Sequence, residues 1–193
     1  MTRRCGFLAA AGLLAAVGLW QLGGAGYIHA KAALAQALLD RSWGESLAGG
    51  SEPRPWPWAD THPVARLTVP DLGIDEIVLA GANGRSLAFG PAHLAGTAAP
   101  GTAGHSILTG HRDTHFTFLR DLRPGQEIQV QRPDGGWQSY RVVETAVIDA
   151  GSARLGGGAG GSSLTLVTCY PFDAVEPGGP LRYLVHAAAQ GKT

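Results

Sequence analysis

Charge is scarce in this chain. Asp, Glu, Lys and Arg make up 16% of its 193 residues, and 15 basic side chains balance 15 acidic ones. With no basic stripe there is no nucleic-acid footprint, and with no acidic tail there is no charge-driven partner. Cysteine is scarcer still: Cys5 and Cys169 are the only two. Cys5 opens an uncharged stretch, and Cys169 closes an apolar, strand-like run. If the first stretch crosses a membrane, the two thiols lie on opposite sides, which excludes a disulfide within the chain. Cys169 is then a lone thiol in an oxidising compartment, where such a group is either buried or has a chemical task. No internal repeat is visible.

The missing charge is concentrated at the N-terminus, where no Lys, Arg, Asp or Glu occurs from residue 5 to residue 30. That length suffices for a helix to cross the hydrocarbon layer. Arg3 and Arg4 precede it and favour a cytoplasmic N-terminus, while Trp20 and Tyr27 suit the outer interface. The expectation is a signal-anchor at residues 1–30 in the inner membrane, with everything beyond it periplasmic or otherwise extracytoplasmic. A cleaved signal peptide is the alternative. Ala33, Leu34, Ala37, Leu38 and Leu39 recur at helical spacing and predict a short juxtamembrane helix over 31–48. Pro53, Pro55, Pro57 and Pro63 make 49–63 a semi-rigid linker. Its Trp56 and Trp58 are expected to pack on the domain or rest at the lipid interface. Residues 64–193 form the folded domain.

Glycine, in contrast, is abundant, with 29 residues. Many fall between short runs rich in Val, Ile, Leu and Thr, which read as strands at 65–69, 76–79, 105–109, 127–131, 140–148, 164–167 and 182–186. Pro133, Asp134, Gly135 and Gly136 predict a hairpin turn. Residues 116–122 predict one short helix, stopped by Pro124 and Gly125. The glycine run at 156–161 predicts a mobile surface loop. Seven or eight strands with little helix give an all-β fold, a closed or nearly closed barrel.

Three clusters could carry chemistry. Gly110-His111-Arg112-Asp113 follows a predicted strand, Thr165-Leu166-Val167-Thr168-Cys169 ends one, and Arg182 opens the last. Cys, His and Arg are the set that acyl transfer needs: a sulfur nucleophile, a proton donor for the departing amine, and a cation for the oxyanion. Taken singly, each has a blander reading, as a small core residue, a turn residue and a solvated charge. Together they would otherwise describe an inert anchored barrel that binds peptides. Zinc is the metal alternative, since His111 and His115 stand four apart near His105 and Asp113. Gly110 before His111 and the lack of a following Glu argue for a loop there, not a zinc-binding helix.

Residues 165–169 resemble the TLxTC signature of sortases. Gly110-His111-Arg112 resembles the histidine element of that family, and Arg182 stands where its arginine does. The strings at 111–116 and 168–173 resemble the proteobacterial branch in particular. The resemblance covers roughly 64–189. It implies an eight-stranded β-barrel with short helices behind an N-terminal transmembrane helix. It also implies a cysteine transpeptidase acting on a secreted or membrane protein with an LPXTG-like C-terminal sorting signal, with an unidentified amine as acceptor. Cys169 would be the nucleophile, His111 the general acid and base, and Arg182 the group holding substrate and oxyanion. Thr168, Thr165, Asp113 and His105 would bind substrate or support the site. Relatives commonly carry asparagine where His105 stands. No acidic calcium cluster is present, so neither metal nor cofactor is expected. The L,D-transpeptidases, which also use cysteine on a β-rich fold, are set aside because Tyr170 and Pro171 follow Cys169. An envelope cysteine peptidase, with water in place of the amine, is the other enzymatic alternative.

Overall fold

The computed structural model describes residues 2–151, 161–174, 176 and 178–191, and in its first helix the side chains from residue 12 onward except 15, 16 and 25. The glycine run read as a mobile loop lies almost wholly outside the described residues. The chain divides into two units, residues 1–37 and 38–193.

The first unit is most of helix α1, Thr2–Leu47. Leu13, Leu14, Val17, Leu19, Trp20, Leu22, Tyr27, Ile28 and Leu34 all stand exposed on it. Among the described residues, no helix is long and apolar enough to cross a membrane. Of the expected span at 1–30, the side chains of 1–11, 15, 16 and 25 lie outside the described set.

The second unit is built from eight strands: β1 Pro63–Val69, β2 Ile74–Ala80, β3 Ala92–His93, β4 His105–Thr109, β5 Glu127–Gln131, β6 Trp137–Asp149, β7 Ser163–Cys169 and β8 Leu181–Ala189. They close into a barrel in the order β1-β2-β3-β4-β7-β8-β6-β5. Period-2 alternation drives this closure. In β1, Ala65, Leu67 and Val69 point inward, and in β5 Ile128 and Val130 do the same, to meet Leu108, Tyr140, Leu164, Leu166 and Val185 in one core. The strand β7 differs, because it is buried along both faces up to Thr168. It lies between β4, in parallel, and β8, antiparallel.

Each predicted strand is present, mostly longer than its sequence window. The one missed, β3, has only two residues and so no alternation to read. The predicted helix at 116–122 is a shorter 3-10 turn, Thr117–Arg120. Thr and Phe are weak helix formers, and here tertiary packing decides: Phe116, Phe118, Leu119 and Leu122 enter the barrel core. The hairpin forms as read, with the Arg132 N–H donating to Gly136 O at 2.8 Å and Gly135 at φ 81°.

The C-terminal end of α1 docks on the outer face of β2. Leu39 and Trp43, one helical turn apart, pack against Ile77, Leu79 and Ala92. Ser42 Oγ donates to Pro53 O at 2.5 Å and fastens the linker to the helix. Trp56 packs edge-on against Phe89 at 4.9 Å, whereas Trp58 is 82% exposed.

Candidate active site

The parallel pairing of β4 and β7 ends at Thr109 opposite Val167. Just beyond, the Gly110 N–H donates to Val167 O at 3.2 Å, and Thr168 Oγ1 donates to Gly110 O at 2.7 Å. These bonds lace together the residues preceding His111 and Cys169. Since Leu164 and Leu166 face the core, alternation turns Thr168 inward and Thr165, Val167 and Cys169 outward. Antiparallel register then sets Arg182 directly opposite Cys169. Residues paired this way share a face with their Cβ atoms about 5 Å apart.

Cys169 is a free thiol of intermediate exposure, and His111 is exposed. Both are therefore open to a peptide. Arg182 Nη1 donates to Gly179 O at 2.6 Å and Leu181 O at 2.9 Å, which steadies the guanidinium. A group with five N–H donors retains others for a carbonyl oxygen. Tyr170, Phe172 and Tyr183, in the residues that follow Cys169 and Arg182 along the chain, form a ring cluster with centroids 5.2–6.1 Å apart. The Arg120 guanidinium lies over Phe172 at 5.3 Å.

The turn carrying His111 is held on several sides. The Phe116 N–H donates to His111 O at 3.0 Å, and Thr117 Oγ1 donates to Arg112 O at 3.1 Å. Gly110 passes so close to the Phe116 ring that an added Cβ would sit 2.8 Å from it. The His115 ring meets Glu76 on β2 through Nδ1 and Oε2 at 2.9 Å. The Arg112 side chain turns away into the protein and reaches two carbonyls of the segment that leads from Cys169 to Arg182.

The supporting residues named from sequence fall in different places. Thr168 is at the site, through its bond to Gly110. Asp113 is exposed on the turn after His111. His105 lies on the same outer face but bonds Thr165, with Nε2 and Oγ1 at 2.8 Å, and Thr165 in turn meets His186 Nδ1 at 3.1 Å. Burial lowers the His105 pKa, with the neighbouring His186 adding to the shift. His105 is thus part of a cross-strand His–Thr–His bridge and does not support His111. His115 serves Glu76, and among the described residues no group of three or more His, Cys, Asp and Glu could hold a metal ion. Sequence reading missed His186, Glu76 and the role of Arg112. The last had no local signal: Arg112 stands between His111 and Asp113, where its charge reads as that of an ordinary turn residue.

A closed β-barrel that carries Cys, His and Arg at adjacent strand ends defines the class as a barrel-based thiol enzyme. A family model for the sortase domain matches residues 67–190, and the chain belongs to the sortase family. It is similar to Sortase D of Bacillus subtilis (strain 168), 27% identical over 121 residues. That match takes in 62% of this chain and 60% of that protein. The crystal structure of sortase C-1 from Actinomyces oris is 29% identical, with a TM-score of 0.57, covering 67% of this chain and 74% of that one. A Clostridium perfringens Sortase D5 transpeptidase shares the fold at a TM-score of 0.65 and 20% identity, over 82% of this chain and 99% of that one.

Proposed function

We propose that this protein is a membrane-anchored cysteine transpeptidase that cleaves an LPXTG-like C-terminal sorting signal and passes the partner protein to an amine. The observation that carries the reading is the register of Cys169 opposite Arg182, with the strand end bearing His111 laced to β7 by Thr168. In the first step Cys169 passes its thiol proton to His111, Sγ attacks the scissile carbonyl carbon, and Arg182 N–H groups take the developing oxyanion. The C–N bond breaks as His111 delivers a proton to the leaving amine, and a thioester remains. The incoming amine then attacks the thioester carbonyl, gives its proton to His111 and expels the sulfur. No cofactor enters this sequence.

Anchoring is supported by the charge-free stretch at 5–30 and by the exposed apolar row from Leu13 to Ile28. A row of this kind favours lipid over water. The catalytic domain would then work outside the cytoplasm, on a secreted or membrane protein carrying the signal.

The test is mass spectrometry of the full chain incubated with sorting-signal peptides and an amine. A thioester adduct should map to Cys169 and be absent from Cys169→Ala, and an amide product should accumulate. Formation of free carboxylate alone, with abundant amine present, would make the protein a peptidase instead. Recovery of the full chain in the soluble fraction after cell lysis would remove the anchor.

A further inference from the structure

Arg112 is only 8% exposed. Among the described residues, no carboxylate is a hydrogen-bond partner of its side chain. Nη2 donates to Ala174 O at 2.8 Å and Glu176 O at 3.0 Å, both main-chain carbonyls, and Nη1 is buried without a partner among the described residues. Burying a cation in this way is unfavourable unless the geometry is needed. The two carbonyls lie on the segment that joins Cys169 to Arg182, and the residue before Arg112 is His111. One side chain therefore ties the backbone of the proton donor to the connection between the nucleophile and the oxyanion group.

We propose that Arg112 is the positioning residue of this site: its fork on Ala174 O and Glu176 O fixes where His111 stands relative to Cys169 and Arg182. The inference rests on the acyl-transfer reading of those three residues. It excludes contact with substrate, because the guanidinium points into the protein. It also requires arginine for reach: both bonds leave the terminal Nη2, which lies one atom farther along the side chain than a lysine nitrogen, and lysine offers no counterpart of the Nη1 edge.

The full chain is compared with Arg112→Lys and Glu176→Ala. Arg112→Lys should lower kcat/KM for peptide transfer roughly 10–100-fold, the loss expected when reacting groups shift by about an ångström. The effect should fall on kcat, and hydrogen–deuterium exchange should quicken in peptides covering 171–180. Glu176→Ala should leave transfer and exchange unchanged, because its carbonyl, not its carboxylate, accepts the bond. In the unaltered protein the Arg112 side-chain N–H resonances should exchange slowly with water, a readout that does not depend on any variant folding. Wild-type kcat from Arg112→Lys, a matching loss in Glu176→Ala, or side-chain protons exchanging as fast as those of an exposed arginine would each overturn the proposal. If the unaltered chain transfers no peptide at all, the functional reading fails, and the exchange measurements still decide whether the clamp exists.

Discussion

Thr168 and Gly110 share a hydrogen bond, Oγ1 to carbonyl oxygen at 2.7 Å, that spans 58 residues of sequence and ends one residue short of Cys169 on one side and His111 on the other. Thr168 is 1% exposed, so its hydroxyl is satisfied by the protein. Replacing it with valine keeps the shape and strands a buried carbonyl. Thr168→Val should cost about 1–3 kcal/mol in urea unfolding. Peptide transfer, measured well below the unfolding transition, should fall further than the unfolded fraction explains. Wild-type turnover by a destabilised Thr168→Val protein would show that the lacing does not position the histidine.

Gly110 is constrained from its other side by the Phe116 ring, 2.8 Å from where a Cβ would be. Phe116 is fully buried in the barrel core and cannot swing away. Gly110→Ala must therefore displace the turn that bears His111 or disturb the core. Overpacking of this kind typically costs about 1–3 kcal/mol. Transfer activity should drop, while alkylation of Cys169 by iodoacetamide at alkaline pH, where an accessible thiol ionises without help from His111, should persist.

The barrel was legible because its strands alternate and its turns carry glycine. The windows at 105–109 and 127–131 coincide with β4 and β5. The candidate site was legible in part because Cys169 and Arg182 sit in short strings at strand ends, which the barrel pairs. What could not be read are the contacts that only the closed barrel creates. Arg112 meets Ala174 and Glu176 from 62 and 64 residues away. The His105 side chain bonds Thr165, two residues on from its register partner Ser163, because β4 lies parallel to β7, and nothing local to residue 105 says so. The helical pattern at 33–39 marked Leu34 and Leu39 equally, yet Leu39 is buried and Leu34 is 60% exposed. Choosing between them requires the position of β2, against which Leu39 and Trp43 pack.

That docking gives a prediction separate from catalysis. Trp43 is 2% exposed against Ile77, Leu79 and Ala92. Trp43→Ala removes a large buried side chain and should destabilise the domain by about 3–5 kcal/mol in chemical denaturation. The contact is made on the outer face of β2, away from β7 and β8. The folded fraction of Trp43→Ala should therefore keep wild-type kcat. A selective loss of kcat in fully folded protein would mean that the helix end communicates with the site.

The His105–Thr165–His186 bridge makes stability depend on pH with a fixed sign. Burial and the neighbouring His186 lower the pKa of His105 in the folded chain. The unfolded chain, where His titrates near 6.5, then binds more protons than the native state between the two values. Stability rises with pH wherever the unfolded state holds more protons. The bridge should therefore be fully stabilising above about pH 6.5, and its contribution should erode as the pH falls from there through the depressed native value. Urea unfolding of the isolated domain at a series of pH values from about 7.5 down to 5, with His105→Gln alongside, measures this. Glutamine keeps a hydrogen-bonding group for Thr165 without a titrating ring, so the variant should show a shallower decline across that interval. If the two profiles run parallel, the proton responsible for the slope is not on His105.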